Sequence, residues 1–206
     1  LWHESMDMLC ALCDFKLLVY IYPQAVWVDK EFLQMSTLAR TAREVGKNPE
    51  IISFCGSQVT LRRTDGSLYA ISPTDHLSSA APVMLQQVFT ATGKRYWEHA
   101  IRVCRYVKCS ELWAALAAIA IHFRHLETAK ICLAEINEVD KVQFLNYLTN
   151  LPCDARRNAE LALFCKRPAE AEVALLQGNP PRVFRAIEMN MRNHFSFRKI
   201  SCDFKP

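Results

Sequence analysis

Glycine is scarce, five residues in 206, and with it goes a group of chemistries that need close backbone approach. There is no phosphate-cradling glycine loop, no Gly-x-Ser-x-Gly nucleophile elbow and no His-Glu-x-x-His zinc pair, so the sequence argues against an enzyme. Long apolar runs are missing too. The longest, Leu112 to Ile121, falls well short of the roughly 18 to 20 residues that cross a bilayer, which excludes membrane insertion through such a helix. No block of one charge exists: 25 basic and 21 acidic residues give a net charge of +4, and the basic ones come as scattered pairs, Arg62-Arg63, Arg156-Arg157 and Lys166-Arg167. A nucleic-acid binder concentrates its charge on one face and interleaves it with aromatics, so no nucleic-acid partner is expected. The cysteines number nine, an odd count with irregular spacing. Cys104 and Cys132 fall at apolar positions, where a free thiol acts as a small hydrophobe, and a reducing compartment is expected rather than a disulfide scaffold.

What is abundant is helical periodicity. Trp97, Ala100, Ile101, Cys104 and Val107 step at helical spacing, as do Leu112, Trp113, Leu116, Ile119, Ala120 and Phe123. Leu126, Ala129, Cys132, Leu133 and Ile136 make a third stripe, and Val139, Val142, Leu145 and Leu148 a fourth. Short connections between such stripes predict antiparallel helices in a bundle or solenoid. Ser110 with Glu111, Asn137 with Asp140, and Asp154 are expected caps. Pro168 suits a first helical position, Gly178 a helix end, and Pro180-Pro181 a further start. Trp97-Glu98-His99-Ala100, Leu126-Glu127-Thr128-Ala129 and Pro168-Ala169-Glu170-Ala171 open alike, with a small residue where paired helices approach closely. Their unequal spacing predicts an irregular α-solenoid rather than a strict repeat.

The first third differs. Met8–Leu12 and Phe15–Tyr22, ended by Pro23, predict a hairpin, and Ala25–Val28 a third short strand. Residues 29–47 read as a helical or irregular excursion. Ile51–Cys55, Gln58–Arg63 and Ser67–Ile71 predict a meander whose corners are Gly56-Ser57 and Asp65-Gly66. Strands of this length fit a β-propeller blade or a free-standing antiparallel sheet packed on the helices. The predicted class is therefore α+β and segregated: propeller strands over 1–72, a linker and weak helix over 73–93, an α-solenoid over 94–191 and a divergent tail over 192–206. A start at Leu1 and an abrupt end at Pro206 suggest a piece of a longer protein.

Chemistry is weighed residue by residue. Cys10-x-x-Cys13 has metal-ligand spacing, but a strand sends these two residues to opposite faces. His122 and His125 lack a third ligand in their motif, so no metal and no cofactor are expected. Cys109 near histidines lacks an orienting group. Trp113 reads as core or as the anchor of a partner surface. Arg102, Arg105 and Lys108 form a basic face, either solvated or in contact with a protein.

Several stretches resemble one family, the subunits of the intraflagellar transport B complex. They are Asn48-Pro49, Gln58 to Leu68, Ala100 to Lys108, Trp113-Ala114, Ile136 with Asp140 to Gln143, Asn150-Leu151-Pro152, and Glu170 to Glu172 leading into Leu175-Leu176-Gln177. The resemblance implies WD40 propellers followed by a tetratricopeptide-like solenoid, this chain holding the end of the second propeller and the start of the solenoid. It implies a non-catalytic scaffold in cilium assembly, found at the cilium, the ciliary base and in the cytoplasm. Other B-complex subunits are the implied partners, with self-association through the helical region. The competing class is a helical module of another propeller–solenoid membrane-coat or trafficking protein.

Overall fold

The structure, a computed structural model, describes residues 1–13, 15–41, 48–56, 58–72 and 96–177. The expected linker and weak helix over 73–93, the helix opened by Pro180-Pro181 and the tail over 192–206 lie outside the described residues. The chain divides into two compact units, Leu1–Leu145 and Asn146–Pro206.

Among the described residues of the first unit, six strands make two antiparallel sheets. Strands β1 (Leu9–Cys13), β2 (Lys16–Tyr20) and β3 (Thr37–Thr41) form one, in that order. Cys13 pairs with Lys16 and Leu9 with Tyr20, so the expected hairpin is present with a two-residue corner. Leu1 and Trp2 add a short edge beside β1, where the Cys10 N–H donates to the Leu1 carbonyl at 2.9 Å. The second sheet is β4 (Glu50–Cys55), β5 (Gln58–Arg62) and β6 (Leu68–Ile71), the predicted meander. Gly66 sits at φ +85°, a region that costs an L-residue strain and glycine none. Asp65 beside it accepts from the Ser67 backbone N–H at 2.8 Å and from the Ser67 hydroxyl at 2.6 Å, completing the turn. Glu50 and Arg62 face each other across the strand pair and form an ion pair.

His3 links the two sheets. Its ring is buried, and Nδ1 accepts from the backbone N–H groups of Ser5 and Met6, both at 3.1 Å. An Nδ1 that accepts leaves the proton on Nε2, which therefore donates to the Gly56 carbonyl at 3.1 Å while the ring edge meets Phe54 at 4.7 Å.

Two expectations in this region are corrected. Ala25–Val28 is no strand: Pro23–Trp27 forms a 3₁₀ turn, because Pro23 fixes φ in the helical range and supplies no ladder donor. The excursion expected over 29–47 is helical over Lys30–Met35 but then contains a strand, Thr37–Thr41, and its residues 42–47 lie outside the described residues. Asp29 accepts from the Glu31 N–H and starts helix α1 (Lys30–Met35), after which β3 returns to pair with β2. Leu38 alone of β3 is buried, so alternation of apolar residues could not mark it.

The helices follow the predicted stripes: α2 (Trp97–Val107), α3 (Ser110–His122), α4 (Leu126–Glu135), α5 (Val139–Thr149), α6 (Asp154–Phe164) and α7 (Pro168–Leu176). In α3 the stripe is too narrow a description. Every residue from Leu112 to Ile121 is buried, since α1 and the 3₁₀ turn cover one side of α3, and α2 and α4 cover others. A helix apolar all round needs such enclosure, and burying each of Leu112, Leu116 and Ile121 contributes about 1.5–3 kcal/mol.

Three helices end in one motif. The Arg124 N–H donates to Ile121 O and the His125 N–H to Ala120 O after α3; Asn137 and Glu138 donate to Ala134 O and Leu133 O after α4; Lys166 and Arg167 donate to Leu163 O and Ala162 O after α6. These are paired six-to-one and five-to-two closures with a left-handed residue at the turn. Arg124, Asn137 and Lys166 hold φ of 59°, 61° and 58°. Asn137 thus closes α4 instead of capping α5, as the sequence had suggested. The other expected caps shift by one residue: Cys109 and Cys153 occupy the N-cap positions of α3 and α6, while Ser110 and Asp154 lie in the first turn. Pro168 is at the start of α7 as predicted.

In the second unit α6 and α7 form a hairpin around Ala159, Ala162, Ala171 and Leu175. Counting back 42 positions gives Ala117, Ala120, Ala129 and Leu133, all buried in the α3–α4 hairpin. The two hairpins share one packing recipe, with α5 between them in the sequence. Glu160 is buried in the second unit, accepting from the Tyr147 hydroxyl at 3.4 Å with Arg156 Nε at 3.6 Å.

Candidate protein-contact faces

Helix α2 and its C-cap carry three of the contact candidates that the sequence singles out. Arg102, Arg105 and Lys108 are all exposed. Arg102 and Arg105 are one turn apart on the helix, and Lys108 lies past its end, at φ +54°, its N–H donating to the Cys104 carbonyl. Positive charge there complements the carbonyl end of the helix dipole. Arg102 also reaches Glu98 at 3.8 Å, an exposed pair four residues apart of the kind that contributes little. Tyr106 stands one turn beyond Arg102 and on its other side from Arg105, 86% exposed, at a position that no sequence pattern marks. Tyr96 meets the His99 ring edge-on at 6.0 Å near the same helix start. The opposite side of α2 buries Ala100 and Cys104.

Trp113 does not join this face. It is 5% exposed on α3, so of the two roles weighed for it the structure gives packing. A partner surface cannot use a side chain already enclosed.

A second polar cluster had no sequence signal, since its members are far apart along the chain. The Lys141 ammonium of α5 donates to Glu31 of α1 at 2.9 Å and lies 3.1 Å from Glu138, above the Phe32 ring at 4.8 Å from its centroid. Burial opposes its charge, but the two carboxylates outweigh burial and hold its pKa above the usual lysine value. Together with Tyr22 against His122, at 6.4 Å between ring centres, this cluster ties the excursion of the first sheet to the helices.

The residues weighed for metal or covalent chemistry have structural occupations. Cys10 is buried and Cys13 exposed, on opposite faces of β1. His125 is the N-cap of α4, Nδ1 accepting from the Thr128 N–H at 3.4 Å, with its ring stacked on Trp97 at 4.7 Å. His122 packs edge-on to Phe123 at 4.9 Å. The Cys109 thiol donates to Glu111 at 2.7 Å, and burial, followed by that carboxylate, pushes its pKa up to about 11, the reverse of what activates a thiolate. Cys104 is pushed up to about 12, by burial and then by Cys109, and burial raises Cys132 as well.

Comparison with known proteins places each half. Residues 1–74 match the family described as the IFT80 second beta-propeller, and residues 112–200 match the IFT80/172/WDR35/WDR19 TPR domain. Over 190 residues the chain is 40% identical to the intraflagellar transport protein 80 homolog of Rattus norvegicus and 38% identical to that of Mus musculus. Each alignment covers 92% of this chain and 23% of the relative, so the chain spans under a quarter of the length of these curated relatives. The architecture is α+β and segregated, propeller strands first and tetratricopeptide-like hairpins after.

Proposed function

From a chain similar to the intraflagellar transport protein 80 homologs across the passage from second propeller to helical repeat, we propose a non-catalytic scaffold subunit of the intraflagellar transport B complex. The observation that carries this reading is the order of the two matched families within one chain. Among the described residues the last strand ends at Ile71 and helices begin at Trp97, an order that supports a seam between the two families in this part of the chain. In this reading residues 1–72 close a propeller, 73–93 link it to the repeats, 94–191 are solenoid and 192–206 a divergent tail. The chain works at the cilium, the ciliary base and in the cytoplasm, contributing to cilium assembly through contacts with other B-complex subunits and with itself through the helical region. Raised rather than lowered thiol pKa values at Cys104 and Cys109 support a role without covalent chemistry.

The test is affinity capture of the tagged full chain from ciliated cells, beside a second copy carrying a different tag. Enrichment of B-complex subunits, with recovery of the second copy, is expected. Enrichment of a different coat complex, or of no transport subunit, overturns the assignment.

A further inference from the structure

The α2 face is built of residues that proteins use to bind one another. Arginine and tyrosine are enriched at interface centres, and Arg102, Arg105 and Tyr106 stand side by side at helical spacing, with the tyrosine 86% exposed. Among the exposed large hydrophobic side chains of the described residues Tyr106 is the most open to water. We propose that this face docks an acidic segment of a partner polypeptide, with carboxylates on the two guanidinium groups and an apolar side chain against the Tyr106 ring. Guanidinium groups accept carboxylates in a two-pronged geometry, and their one-turn spacing on α2 selects a partner whose acidic residues recur at a similar interval.

Charge complementarity identifies the occupant as a separate chain. The stretch 73–95 contains one acidic residue, Asp75, against Lys94 and Arg95. The stretch 178–206 holds Glu188 and Asp203 against Arg182, Arg185, Arg192, Arg198, Lys199 and Lys205. Neither supplies the negative charge this face asks for. Glu98 offers only a 3.8 Å contact to Arg102, with 88% of its own side chain exposed, and such a pair yields readily to a better acceptor. The inference does not depend on the transport assignment.

The experiment measures fluorescence anisotropy of a labelled helical peptide rich in glutamate with one phenylalanine, titrated with the full chain; its glutamine counterpart is the control. Binding of the acidic peptide alone is expected, weakening as salt rises. The double variant Arg102→Glu/Arg105→Glu should lose about tenfold or more in affinity. Tyr106→Ala should weaken binding while leaving the salt dependence in place, and Lys16→Glu, at an exposed lysine of β2, should change nothing. Matching melting curves establish that the variants fold. Absence of binding, or equal binding by every variant, overturns the proposal. So does transfer of the Arg102/Arg105 dependence to phosphatidylserine vesicles, which would make the face a lipid site, or to self-association in sedimentation, which would make a second copy the occupant.

Discussion

Replacing Arg124 by glycine should stabilise the protein. Arg124 closes α3 at φ +59°, and an L-residue in the left-handed region carries roughly 1–2 kcal/mol of strain between its Cβ and the following carbonyl. Glycine removes that strain but adds freedom to the unfolded chain, which offsets about 0.4–1 kcal/mol. The exposed arginine side chain subtracts little more, so the net gain is about 0.5–1 kcal/mol. In urea titration of the full chain this appears as a higher midpoint with unchanged slope. Arg124→Val should move the midpoint the other way, because a β-branched residue tolerates positive φ least. Asn137→Gly should gain less than Arg124→Gly, since asparagine visits the left-handed region more readily. A lower midpoint for Arg124→Gly, or an equal response from glycine and valine, would refute the claim that strain is stored at this closure.

Ala129 and Ala171 occupy equivalent buried places in the two hairpins, so leucine at either should cost about 1–3 kcal/mol by overpacking, read as a lower melting midpoint. Lys141→Met should cost about 1–2 kcal/mol, because it leaves Glu31 and Glu138 without their shared cation. The Lys141 pKa is raised from 10.5 on folding, so its contribution is fully present below pH 10.5 and fades as pH climbs through the higher folded value; the stability gap between wild type and Lys141→Met should narrow there. For Cys104, pushed from 9.0 to about 12, stability is present below pH 9.0 and lost as pH rises toward 12, and Cys104→Ala should flatten that decline in alkaline urea titrations. Iodoacetamide should label exposed Cys13 and Cys55 in the native protein and reach Cys104, Cys109 and Cys132 only after unfolding, as peptide mass mapping would show.

The helices were legible because packing against neighbours writes a period into sequence: Ala100, Ala129 and Ala171 were named from their motifs and all three are buried. The second sheet was legible from its corners, above all Asp65-Gly66. Strand β3 was not, because Thr37 to Thr41 is held by pairing with β2 more than by burial. Asn137 misled because asparagine serves equally at a helix start and in a left-handed closure. The exposed face of Arg102 and Arg105 was visible as charge, while Tyr106 counted as one more large residue until its exposure was known. Lys141 with Glu31 joins residues 110 positions apart, a pairing that no local pattern encodes.

The enclosure of α3 by α1 and the 3₁₀ turn bears on how such a chain can be inherited. A recombination event that joined these helices to a different propeller would strip one flank from an all-apolar helix unless it also carried the Pro23–Ser36 segment. Deleting or replacing Pro23–Ser36 is therefore expected to destabilise α3 along with the first sheet, read as a lower melting midpoint of the helical part. The strand-to-helix boundary is thus a worse place to cut the chain than the order of its elements suggests.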